Sequence, residues 1–154
     1  MKEKLSTTSD VFLKSLAKKI GIKDIRIYSI DKLQSVKPTN GSYIINCDTS
    51  AGPGTHWVSC YIGNNQEYAV YFEPFGVVAD TRVISFLKRG DKKIVGINTQ
   101  AQDVNAKSCG YWCLFFLNSM RLGATPNYFL SILDCCDQMK NEKFLENYFE
   151  QMLD

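Results

Sequence analysis

One histidine and four prolines are all that this 154-residue sequence holds of either type, and its net charge is only +2. A single imidazole excludes every site built on two or more histidines. The near balance of 18 basic and 16 acidic side chains provides no strong field for nucleic acid. No run of about 18 apolar residues is present, which excludes a spanning helix. Residues 1–15 mix charges without an uninterrupted apolar stretch, so they do not read as a secretory signal and a reducing compartment is expected.

What is present points to one folded domain over residues 1–154. Nine Phe, eight Tyr and two Trp provide far more buriable surface than a disordered chain carries. Six Cys invite a disulfide framework, but such frameworks serve short secreted domains that lack a core, so free thiols are expected. Two basic clusters, Lys14, Lys18, Lys19, Lys23 and Lys88, Arg89, Lys92, Lys93, read as solvated faces.

Ser9 or Asp10 opens a helix whose apolar positions Val11, Phe12, Leu16, Ala17 and Ile20 recur at helical spacing, and Gly21 stops it. Strands are expected over 24–33 and 43–47, with a turn over 37–41, followed by a Gly/Pro-rich loop over 50–54. Residues 57–62 and 67–72 form a hairpin about Gly63-Asn64-Asn65-Gln66, residue types that tolerate tight turns. With Asn64 and Asn65 at the tip, His56 lies directly across from Glu73; a slip of one residue would separate them.

Asp80 or Thr81 caps a short helix ending at Arg89-Gly90, a strand covers 93–98, and a polar loop over 99–108 leads to Cys109. The helix from Cys109 is apolar all round, as a buried central helix would be. Amphipathic helices follow from Asn127. The expected fold is α+β: a small antiparallel or mixed sheet packed around a central helix that begins at Cys109, with flanking N- and C-terminal helices.

A thiol is nucleophilic as the thiolate, and a helix N-terminus stabilises that anion, which makes Cys109 the candidate nucleophile. Gly110 behind it leaves room for substrate or backbone. His56 is the one group able to take the thiol proton and return it to a leaving amine near neutral pH. Glu73 would orient the imidazole; Asp48, Asp80 and Asp103 are nearby carboxylates without that alignment. Gln102, with Gln100 as a rival, would donate to an oxyanion together with the Cys109 N–H. Cys109 and Cys113 on a helix, with Cys135-Cys136, have poor zinc spacing, so no metal is expected.

Gly54-Thr55-His56-Trp57, then Phe72-Glu73-Pro74-Phe75-Gly76, then Gln102 and Cys109-Gly110 with Cys113 one turn on, resemble the adenovirus-type maturation proteases. These belong to the wider group of cysteine peptidases that includes the ubiquitin-like-protein proteases. The resemblance covers residues 50–120. It implies His56 as base, Glu73 as orienting acid, Cys109 as nucleophile and Gln102 as oxyanion donor. Trp57 would pack beside the site, and Trp57, Gly54 and Gly110 would border the substrate.

The implied activity is endoproteolysis of capsid or core precursor proteins at Gly-containing sites, in a monomer, with no cofactor required for the chemistry. The implied location is the host cytoplasm, viral factory and virion, or the cytosol outside a viral setting. Family members are activated by a disulfide-linked peptide and by DNA; no Cys spacing here assigns the peptide, and the balanced charge does not assign DNA. The chain is short for the family, and the resemblance implies that its 154 residues suffice for the catalytic core. The alternatives are a ubiquitin-like-protein isopeptidase or effector of the same group, and an inert binding module.

Overall fold

The side chain of Ser9 accepts the Phe12 N–H, and Gly21 closes the helix at φ 103°, so helix α1 spans Asp10–Ile20 as its caps predict. The structure is a computed structural model that describes residues 8–47, 56–64 and 67–153. Strand β1 (Ile25–Ser29) runs into a 3₁₀ turn (Ile30–Ser35), followed by β2 (Gly41–Asn46), β3 (Trp57–Ile62) and β4 (Tyr68–Phe72). Then come α2 (Thr81–Lys88), β5 (Lys93–Ile97), α3 (Cys109–Arg121), α4 (Pro126–Ile132) and α5 (Gln138–Leu153).

The expected strand over 24–33 ends early, at Ser29. Ile30 and Leu33 explain why: three residues apart, both are buried on one side, a spacing that suits a 3₁₀ turn and defeats the alternation of a strand.

The five strands lie side by side in chain order, parallel at each edge (β1 with β2, β4 with β5) and antiparallel between. Both faces are covered. Ile44, Val70 and Phe72 point to a core shared with α1, α3 and Phe129, Leu145 and Phe149 of the last two helices. Their neighbours Tyr43, Ile45, Ala69 and Tyr71 point the other way, onto Val83, Phe86 and Leu87 of α2 and onto Ile30 and Leu33. Helix α3 is buried from Cys109 through Asn118 against the sheet, in the central position that its uniform apolarity predicts. The fold is thus α+β, with a mixed sheet, a buried helix starting at Cys109 and flanking helices. No helix among the described residues is long and apolar enough to cross a membrane.

Candidate active site

His56 stands immediately before β3, and its carbonyl accepts the Cys47 N–H at 2.9 Å. Glu73 immediately follows β4, with its N–H on the Ile97 carbonyl of β5 at 3.2 Å. Their side chains meet: His56 Nε2 and Glu73 Oε2 are 2.9 Å apart, and Glu73 is only 3% exposed. The other carboxylate oxygen accepts the Phe75 N–H at 2.8 Å, so the acid is oriented from both sides.

The register that brings them together differs from the one expected. Ser59 pairs with Phe72 and Ile62 with Ala69, a shift of two residues from the two-residue tip predicted at Asn64-Asn65. Part of that tip lies outside the described residues. Continued past the ladder, the observed register sets His56 across from Phe75, and their rings are 5.1 Å apart. Glu73 becomes a diagonal neighbour of His56. A shift of two keeps both side chains on one face, so the contact survives where a shift of one would have lost it.

Cys109 is the first residue of α3, where the positive end of the helix dipole favours an anion, and it is 4% exposed. The imidazole is pushed up from 6.5 to about 9. Burial is the largest influence and acts against the charged ring, but hydrogen bonding to Cys109 and Glu73, with their negative charges, outweighs it. Glu73 occupies Nε2, which leaves Nδ1 for the thiol. Among the described residues the buried Nδ1 makes no hydrogen bond of full geometry, so its interaction with Cys109 falls short of an ideal bond.

Gln102 is fully buried, and its Nε2 donates to the Ala106 carbonyl at 2.8 Å, which leaves the amide a second hydrogen. Its rival Gln100 likewise gives one amide hydrogen, to the Gln102 carbonyl at 3.1 Å, and keeps a second. The loop is anchored at Pro74, whose carbonyl accepts the N–H groups of both Ala101 and Gln102 at 3.0 Å. Asp80 caps α2 and pairs with Arg82, and Asp103 accepts the Asn105 N–H, so both carboxylates serve their own turns. Asp48 and Gly54 lie outside the described residues.

The two other residues expected to border substrate are enclosed. Trp57 is 3% exposed and its indole N–H donates to the Thr8 carbonyl at 3.3 Å. The space beside Gly110 is taken by Thr8 and Leu13. The room expected there for substrate or backbone is filled by side chains from the lead-in and the first turn of α1.

Three features were not found from sequence. Phe75 packs on the imidazole, and a ladder register would have been needed to see it. Cys47 shares the electrostatic surroundings of the site: burial and then the charges of Glu73, Asp80 and Cys109 push its thiol up to about 12, which leaves it protonated. Glu142, on α5, accepts from Ser108, Trp112 and Asp103. Nothing in its local sequence distinguishes it from a solvated helix residue. Val77, Val78 and Val104 expose apolar side chains on the loops that follow Glu73 and Gln102.

Among the described residues no three of His, Cys, Asp and Glu gather to hold a metal ion. Cys135 and Cys136 are exposed with their sulfurs 3.6 Å apart, whereas Cys109 and Cys113 are buried in α3.

No protein-family model and no curated protein matches the chain. Solved structures do. The ASFV pS273R protease superposes with a TM-score of 0.59 at 16% identity, over 77% of this chain and 56% of that one. The Ulp1 protease domain in complex with Smt3, the yeast ortholog of SUMO, superposes with a TM-score of 0.55 at 11% identity, over 96% of this chain and 76% of that one. ChlaDub1 from Chlamydia trachomatis gives 0.50 at 12% identity, over 96% and 78%. Against two crystal structures of the ASFV protease this chain spans 44% and 56% of the protease, about half its length. What is shared at these identities is the fold.

Proposed function

We propose that this chain is a cysteine endopeptidase in which Cys109, His56 and Glu73 form the catalytic triad and Gln102 helps to hold the oxyanion. The observation that carries the reading is the His56–Glu73 hydrogen bond of 2.9 Å, made by an imidazole that also interacts with Cys109 at the start of a buried helix.

In this reaction the Cys109 thiolate attacks the scissile carbonyl carbon. The oxyanion that develops is met by the Cys109 N–H and the Gln102 amide. The His56 imidazolium protonates the leaving amine, the C–N bond breaks and a thioester remains. The neutral imidazole then takes a proton from water, the resulting hydroxide adds to the thioester, and the Cys109 thiolate leaves with a free carboxyl product. Glu73 keeps its position throughout and favours the charged imidazole.

The substrate class is polypeptide. Within it we favour viral precursor processing at Gly-containing sites, on the adenovirus-type motif order and the fold shared with the ASFV protease. The reading places a monomeric catalytic domain in the host cytoplasm, the viral factory and the virion. A ubiquitin-like-protein protease is the second reading, favoured by the likeness to the Ulp1–Smt3 complex over 96% of this chain.

The test is cleavage of Gly-containing precursor peptides by the wild type and by Cys109→Ala. Loss of turnover in the variant is expected, and retained turnover overturns the assignment. Reaction with a ubiquitin-like C-terminal electrophile, and none with short peptide probes, would select the second reading. A Cys109 that alkylates no faster than a free thiol at pH 6 would leave an inert module.

A further inference from the structure

Glu142 is 8% exposed, and its carboxylate takes three donors from the stretch that carries the site. Oε1 accepts the Ser108 hydroxyl at 2.5 Å; Oε2 accepts the Asp103 N–H at 3.1 Å and the Trp112 indole N–H at 3.0 Å. Asp103 directly follows Gln102, and Ser108 directly precedes Cys109. Both ends of the loop between the oxyanion candidate and the nucleophile are therefore pinned to one side chain. Asn141 extends the grip, donating to the Ala101 carbonyl at 3.2 Å, while the Ala101 and Gln102 N–H groups are held from the opposite side by Pro74.

Ser108 shows what this arrangement changes. A serine at the N-cap ordinarily turns its hydroxyl onto an N–H of the first helical turn. Here Ser108 occupies the N-cap of α3 without a side-chain cap bond, because its hydroxyl is given to Glu142. The amides at the start of α3 are therefore not consumed by the cap. Those a cap would take are the second or third, of Gly110 or Tyr111, and left unspent by the cap they add to the positive helix end that favours an anion at Cys109.

We propose that Glu142 is a positioning residue of the active site: by holding Ser108 and Asp103 it sets Cys109 against Gln102 and keeps the cap hydroxyl off the helix amides. The proposal rests on Cys109 being the nucleophile. Glu142 touches none of the reacting groups and acts through the loop and the helix start. Glutamine can reproduce the arrangement, since its carbonyl can accept from Asp103 and Trp112 while its NH₂ donates to Ser108. Alanine cannot.

The experiment compares wild type, Glu142→Gln, Glu142→Ala and Ser108→Ala at a temperature where circular dichroism shows each folded. Peptide turnover and Cys109 alkylation by iodoacetamide, followed by peptide mass spectrometry, are measured in parallel. Glu142→Ala should lower kcat by up to about 100-fold with KM within about twofold, as expected for misplaced catalytic groups, and should slow alkylation. Glu142→Gln should restore both to near wild type. A folded Glu142→Ala with wild-type kcat overturns the proposal, as does a Glu142→Gln as impaired as the alanine variant. If Glu142→Ala does not fold, Ser108→Ala decides: kcat should fall with KM unchanged, and an unchanged kcat overturns the tether. A wild-type Cys109 no more reactive than a free thiol overturns the functional reading and this proposal together, whereas a reactive wild type matched by Glu142→Ala overturns only the role of Glu142.

Discussion

The backbone N–H of Gln102 donates to the carbonyl oxygen of Pro74 at 3.0 Å, so the loop that carries the oxyanion candidate hangs from the residue next to Glu73. That turn closes through the Gly76 N–H on the Glu73 carbonyl at 2.9 Å. Gly76 has φ +71°, and a Cβ there would lie 2.5 Å from the Asn98 carbonyl oxygen and 2.7 Å from the Gln100 nitrogen. Neither backbone group can yield without moving the loop. Gly76→Ala should therefore cost about 1–3 kcal/mol in urea unfolding and lower kcat further than any loss of folded protein explains. An unchanged midpoint and kcat would show that the turn and the loop are not mechanically joined.

How much of this could be read from the residues depends on how local each signal is. The caps of α1 and the buried helix at Cys109 were legible because Ser9, Gly21 and an unbroken apolar run are short-range statements. The His56–Glu73 contact was legible for a less secure reason. Side-chain parity along paired strands was right although the pairing was displaced by two. The 3₁₀ turn after Ser29 is harder to read, because a β-rich composition continues through Ile30 and Leu33 and only their three-residue spacing marks the change. Glu142 was beyond reach, since it lies 34 residues from Ser108 and only the packing of α5 on the start of α3 gives it a role.

Gln102→Ala separates an oxyanion donor from a loop brace. Loss of a preorganised donor costs about 10²–10³ in kcat, and binding of the ground state changes little. The Gln102 amide also holds the Ala106 carbonyl, so some loss of stability is expected as well. Steady-state kinetics on one peptide should show kcat reduced on that scale with KM nearly constant. A rise in KM with kcat preserved would place Gln102 in substrate binding instead.

The pH dependence has a definite sign. His56 titrates at about 9 in the folded chain against 6.5 for the free group, so the charged imidazole stabilises the fold fully below about pH 6.5. That contribution is lost as the pH rises through about 9. Protonation of the leaving amine needs the same proton, so kcat/KM should fall along an alkaline limb near 9. Glu73→Ala removes a hydrogen bond and a charge that raise the value, and its alkaline limb should move toward neutral pH. A limb unmoved in Glu73→Ala would mean that the carboxylate does not hold the imidazolium.

Gly110→Ala distinguishes a packing glycine from one that makes room for substrate. An added Cβ would come inside contact distance of Thr8 Oγ1 and within 2.9 Å of Leu13 Cδ2. Thr8 is buried, and its carbonyl accepts the Trp57 indole N–H, so it cannot move aside without disturbing the residue next to His56. Overpacking of this kind costs about 1–3 kcal/mol. The variant should lose stability of that order in chemical denaturation, with KM for peptide close to that of the wild type. If Gly110 instead made way for the substrate chain, the alanine would raise KM and leave stability unchanged. Leu13→Ala in the Gly110→Ala background provides the deciding measurement. Leu13→Ala empties part of the core and costs stability of its own, but if the two residues press on each other the double variant should be less destabilised than the sum of the singles, and strict additivity would show that they do not.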